Sequence, residues 1–207
     1  APEPSPPPVP SLPVLSGRVV LGPVEAATVV VTTYDNIVIH RLRTDATGAF
    51  GPVPIPSGFD GVVFLRAELT ETSRFPCDAI RGCVTAGGRV SFGESVTAVG
   101  QLRALVPVED LGSRPVVLSP FTHAAALRAE SLTAGARATV EATRVAHQEM
   151  SELLNRVLGE LPGAPRVGAD YYEVPLPNLA TASSPELESA GAAGVALALL
   201  GAALLEV

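Results

Sequence analysis

A chain of 207 residues is long enough to bury a sizeable core and lies between one large domain and two small ones. Its 47% hydrophobic content, with 4% aromatics and no Trp, builds that core from Ala, Val and Leu. All 14 basic residues are Arg and the net charge is −7 without a basic stripe, which argues against a nucleic-acid partner; the absence of Lys removes Schiff-base chemistry and the phosphate-cradling lysine of P-loop enzymes.

Residues 1–15 carry proline at positions 2, 4, 6, 7, 8, 10 and 13. Proline fixes φ and removes a backbone donor, so the segment is predicted to be an extended polyproline-like arm. Such an arm cannot easily bury itself, and Pro6, Pro7, Pro8, Val9 and Pro10 are candidate interface residues for docking on another copy. The opening Ala1-Pro2-Glu3-Pro4 reads as a mature N-terminus left after removal of an export sequence.

From Ser16 the pattern changes to short β-branched runs cut by turn residues. Strands are predicted over residues 17–21, 27–34 and 37–44, separated by Gly22-Pro23 and Asp35-Asn36. Asp45-Ala46-Thr47-Gly48 forms a further turn, followed by Ala49-Phe50 and strands near 62–67, 89–92 and 95–106. Turns at this density imply an antiparallel two-sheet β-sandwich over residues 16–107, so the fold class is α+β once the helical remainder is added.

Within that unit Cys77 and Cys83 are the only cysteines, with five residues between them in a turn-like stretch. A metal site would need further ligands nearby, and His40, His123 and His147 are all distant in sequence. A disulfide is the natural pairing, which favours an oxidising, exported setting, although spacing alone does not establish it.

Residues 108–207 are read as a small helical domain of about three helices. Ser119-Pro120 offers an N-cap with proline at the first helical position, starting a helix that runs to about Ser131. A long helix is predicted over 133–161 because Ala142, Val145, Ala146, Met150, Leu153, Leu154, Val157, Leu158 and Leu161 recur at three- and four-residue steps. Arg137 with Glu141 and Glu152 with Arg156 are spaced for exposed ion pairs on its other face. Pro162-Gly163-Ala164-Pro165 ends it, and Ser184-Pro185-Glu186 opens a last helix that is apolar all round over residues 191–205. Such a helix must be enclosed by its own fold, by another subunit or by lipid, and the run is short for a membrane span. Gly194, Ala198 and Ala202 form a small-residue stripe, a candidate interface if it is not spent on packing within the chain.

Gly17-Arg18-Val19, Gly22-Pro23-Val24, Ala27-Thr28-Val29 and Thr44-Asp45-Ala46-Thr47-Gly48-Ala49-Phe50 resemble the carboxypeptidase regulatory-like domain over about residues 16–70. The resemblance implies a transthyretin-like, Ig-like β-sandwich acting as a structural or binding accessory. The run 116–123 with its Ala-rich continuation is similar to a segment of large bacterial surface proteins and lipoproteins that carry such sandwiches. The resemblance assigns no role to the Cys77/Cys83 loop.

No motif supports catalysis. The chain lacks a Gly-x-Ser-x-Gly elbow, a His-Glu-x-x-His pair, a Walker loop and an Asp-x-Asp-x-Asp-Gly calcium loop. His123 is read as a satisfied structural residue and His147 as a helix-surface residue. No catalytic, cofactor or metal residue is assigned. The expected protein is a non-enzymatic, secreted or cell-surface bacterial component acting through protein contacts. Self-association is expected, with a subunit of an extracellular filament as the sharper variant, and contact with a membrane only through a tether or the last helix. The alternative is a carbohydrate-binding or hydrolase accessory module, with Tyr34, Tyr171 and Tyr172 as the available aromatic platforms.

Overall fold

Alternation of side chains along the strands divides the molecule into layers. The computed structural model describes residues 13–33, 35–111, 114–160 and 163–206, so Pro6, Pro7, Pro8, Val9 and Pro10 lie outside the described residues. The strands are β1 (Val14–Val19), β2 (Thr28–Thr32), β3 (Val38–Arg43), β4 (Ala49–Pro54), β5 (Val62–Leu69), β6 (Arg74–Pro76), β7 (Cys83–Thr85), β8 (Gly88–Val90), β9 (Ser95–Thr97), β10 (Gly100–Pro107) and β11 (Val116–Leu118). Three helices follow the sheets: α1 (Pro120–Leu132), α2 (Val140–Gly159) and α3 (Ser184–Leu204). The fold is therefore mixed α+β with several antiparallel sheets.

One sheet has the order β11-β1-β4 and the other β10-β5-β2-β3. Leu15 and Val19, Phe50 and Val53 from the first share a core with Val29, Val31, Val63, Leu65, Ala104 and Val106 from the second. Gly17 lets the first sheet close, because a β-carbon there would collide with the Phe50 ring and the Val116 carbonyl. The intervening residues of β5 and β10 face the other way, where Val62, Phe64 and Leu105 meet Ala126 and Ala129 of α1 and Ala146 of α2. Alanine keeps these helices close to the sheet.

The β1–β11 pair is parallel, with Gly17, Arg18 and Val19 opposite Val116, Val117 and Leu118. Three apolar residues ahead of a helix carry no strand signature of their own, and the sequence places them within the helical domain of residues 108–207. The shared core accordingly takes residues from both sides of position 107, including Phe121, Leu154, Leu158 and Leu197.

The helix expected over 133–161 begins only at Val140, because Ala134 (φ 52°) and Gly135 (φ 81°) adopt left-handed backbone and end α1. Thr139 then caps α2, its hydroxyl accepting the Ala142 N–H at 3.1 Å. The buried face of α2 is also rotated from the expected stripe. Val145, Leu153 and Val157 are exposed, whereas Thr143, His147 and Ser151 are buried with Ala142, Ala146, Leu154 and Leu158. Counting only apolar residues missed inward polar groups that find partners: Ser151 donates to the Val167 carbonyl at 2.7 Å, and Asn155 exchanges two hydrogen bonds with the Val167 backbone. The expected ion pairs are replaced too. Arg137 reaches Asp35 at 2.9 Å, and Glu152 accepts from Gln148.

Candidate functional surfaces

His147 is buried, not on a helix surface. Its Nε2 lies 2.8 Å from the Leu105 carbonyl and its Nδ1 lies 3.1 Å from the Tyr171 hydroxyl. A carbonyl only accepts, so Nε2 carries the proton and Nδ1 receives the Tyr171 O–H. Both ring nitrogens are spent on joining α2 to β10 and to the 3-10 turn Tyr171–Glu173. Burial holds the imidazole below its ordinary pKa, keeps it neutral, and pushes the Tyr171 hydroxyl up. Tyr172 stacks on the same ring at 4.6 Å between centroids. Tyr171 and Tyr172 are both buried, so neither offers an exposed platform for a sugar.

A hollow of about 610 Å³ beside this cluster is lined by Asp110, Arg144, Gln148, Asp170 and Tyr172. Arg144 there grips Asp110 with two bonds, at 2.9 and 2.6 Å, and Glu109 at 2.8 Å. His123 has different neighbours: the Arg103 guanidinium and Glu130 carboxylate, with burial lowering its pKa. The described residues contain no group of three or more His, Cys, Asp or Glu placed to hold a metal ion.

Cys77 and Cys83 form the disulfide, with Cα atoms 5.8 Å apart. The loop they close receives the end of α3. Val84 N–H donates to Leu205 at 2.8 Å, Arg81 N–H donates to the Glu206 carboxylate at 3.0 Å, and Arg89 reaches the Glu206 carbonyl at 3.4 Å. Inside the loop the Asp78 side chain is buried, and its Oδ1 finds no hydrogen-bond partner in the structure.

Gly194, Ala198 and Ala202 are buried within the chain itself. Any β-carbon at Gly194 would strike the Pro175 carbonyl, so this stripe brings α3 against the segment 175–177. The opposite side of α3 is uncovered: Leu199 is 46% exposed and Leu204 53% exposed. By length and composition α3 could cross a membrane, with mean hydropathy 1.7, and only 28% of its most apolar stretch is buried. Gly191 interrupts it with φ 65° and ψ −179°. The segment 192–204 beyond that kink is about 20 Å long at helical rise, against about 30 Å for a hydrocarbon core.

The remaining concavity lies on the outer face of the four-stranded sheet, where α1 and α2 pack over β10 and meet Val62 and Phe64 of β5, and the exposed strand β3 forms the far side. Strand register lines up Arg41, Val30, Arg66 and Arg103 in one row across four strands. The neighbouring row is Val38, Thr32, Phe64 and Leu105. Glu130 of α1 and residues 135–137 wall this groove of about 480 Å³. Arg66 and Arg41 share Glu68 at 2.8 and 3.5 Å, Arg103 pairs with Glu130 at 3.1 Å, and Arg137 with Asp35 closes one end. Sequence reasoning missed this surface because its residues come from four separate strands and only register brings them together.

No family model matches the chain, and searches of curated proteins and of solved structures yield no match.

Proposed function

We propose that this is a non-enzymatic, secreted or cell-surface protein that works through protein contacts and associates with itself. The observation that carries the reading is α3, which packs its small-residue side inward and leaves Leu199 and Leu204 facing solvent. An apolar helix of which only 28% of the most apolar stretch is buried calls for a covering partner. Its occupant is a second copy of the chain, and repetition of one head-to-tail contact would build a filament. The buried disulfide agrees with an oxidising location. The two sheets sharing one hydrophobic layer support the Ig-like, transthyretin-like β-sandwich that the family resemblance implies. His147 has both ring nitrogens committed to the Leu105 carbonyl and the Tyr171 hydroxyl, whereas the buried Nδ1 of His123 has no hydrogen-bond partner, so His123 is not the satisfied residue expected from sequence. Protein contact is preferred to sugar binding because Tyr171 and Tyr172 are inside.

Sedimentation velocity on the oxidised chain over a concentration series tests this reading. Association is expected to rise with concentration and to be lost in the Leu199→Glu, Leu204→Glu variant. A chain that stays monomeric throughout, or an assembly indifferent to both substitutions, overturns it. Co-flotation of the wild type with phosphatidylcholine and phosphatidylglycerol vesicles also overturns it, by giving α3 to a bilayer instead.

A further inference from the structure

We propose that the groove on the outer face of the four-stranded sheet is a docking site for an extended, carboxylate-rich peptide segment of a protein partner, with one apolar side chain seated over Phe64. The inference rests on the reading of this chain as an interaction protein and names a second surface and its partner chemistry.

Charge is the first argument. Arg66 stands directly opposite Arg103 in the β5–β10 ladder. Like charges facing one another across strands destabilise a sheet, and here Glu68 and Glu130 offset the pair from within the chain. Four guanidinium groups, on Arg41, Arg66, Arg103 and Arg137, face three carboxylates, on Glu68, Glu130 and Asp35, leaving a local excess of 4 − 3 = 1 positive charge in a chain of net −7. Three of these arginine side chains are about half exposed, at 57% for Arg41, 49% for Arg66 and 45% for Arg137. Exposed ion pairs contribute little, so incoming carboxylates can replace the internal ones. The planar fork of Arg then accepts each carboxylate through two parallel bonds.

Geometry is the second argument. Arg41 lies two strand spacings from Arg66, about 10 Å, and Arg66 one spacing from Arg103, about 5 Å. An extended chain presents side chains on one face about every 7 Å, within reach of these long side chains. The row beside them supplies an apolar seat at the partly buried Phe64 and the exposed Val38, with Leu105 buried beneath the helices at its end. Strand β3 ends the sheet order, and no strand among the described residues pairs with its outer edge, where Ile37 and Val38 are exposed. That open edge lets a peptide crossing the face along the arginine row run on past Arg41. An acidic polysaccharide fits less well, since Phe64 is the one aromatic ring among the described residues lining the groove, Tyr34 lying outside the described residues.

Fluorescence anisotropy with a fluorescein-labelled peptide of alternating Glu and Thr bearing one central Phe tests the proposal. The controls are the same peptide with Gln for Glu and a labelled oligogalacturonate. Saturable, salt-sensitive binding of the Glu peptide is expected, weakened about ten-fold or more by Arg66→Glu and by Arg41→Glu. Circular dichroism melts confirm that both variants fold, since both sites are surface positions. No binding, equal binding of the Gln peptide, tighter binding of the oligogalacturonate, or indifference to both variants overturns it. Sedimentation of the same samples separates the two readings: loss of peptide binding with self-association intact removes the groove alone.

Discussion

Replacing Asp78 with Asn removes a charge that the fold holds at a cost. The carboxyl is buried inside the disulfide loop, one oxygen has no hydrogen-bond partner, and burial pushes its pKa from 3.8 up to about 6. The folded state thus holds a proton that the unfolded chain releases near pH 4, so stability falls as pH rises through the window from 3.8 to about 6. A displacement of about two pKa units corresponds to about 3 kcal/mol lost by the wild type at neutral pH. Asn carries no charge in either state, but its amide N–H groups need acceptors, and one left unpaired costs about 1 kcal/mol. Asp78→Asn is therefore expected to gain about 2 kcal/mol at about pH 8 and to lose about 1 kcal/mol at about pH 4. Urea unfolding of the oxidised protein at both pH values, read as midpoint shifts at constant slope, measures this. His147 titrates in the opposite sense: its lowered pKa makes the fold less stable as pH falls below the ordinary imidazole value. Its contribution cancels in the difference between wild type and variant. An equal effect of the substitution at both pH values would refute the argument.

Tyr171→Phe strips the donor from His147 Nδ1 and leaves a buried nitrogen without a partner, so a loss of about 1–3 kcal/mol in urea unfolding at neutral pH is expected. Gly194→Val drives a side chain into the Pro175 carbonyl, and thermal melts at low protein concentration should show a loss of about 1–3 kcal/mol irrespective of assembly state. A loss that appears only at concentrations where the chain associates would instead make this stripe a subunit contact. Reducing the Cys77–Cys83 bridge opens a short loop worth about 2 kcal/mol by chain entropy, and amide exchange at Val84 should accelerate first because it holds the end of α3. Unchanged protection at Val84 would show that the helix end is held independently of the bridge.

The features legible in the sequence are those written locally. Ser119 caps α1, its hydroxyl accepting from the Thr122 N–H and its own amide donating to the Thr122 hydroxyl. Asp45 builds its turn by accepting from the amides of Thr47 and Ala49, and the cysteine pair closes over six positions. What stayed hidden depends on partners distant in the chain. His147 could not be placed inside without knowing that the Leu105 carbonyl and the Tyr171 hydroxyl would meet it, from 42 and 24 positions away. The arginine row required the register of three strand pairs. The last helix is uniformly apolar in sequence, and composition does not say that Gly194, Leu197, Ala198 and Ala202 turn inward while Leu199 and Leu204 face out.

The parallel pairing of β1 with β11 bears on how the chain reaches this fold. Residues about a hundred positions apart become neighbours, and the Val20 amide is satisfied only when Leu118 arrives at 2.8 Å. During synthesis the opening strand emerges long before its flank exists, so an unprotected edge persists while the later strands are made. Closing so large a loop adds little to the entropic toll yet slows the search, and ordering is set by the arrival of three residues just ahead of α1. A polypeptide stopped before them would keep that flank bare and ready to capture a neighbour.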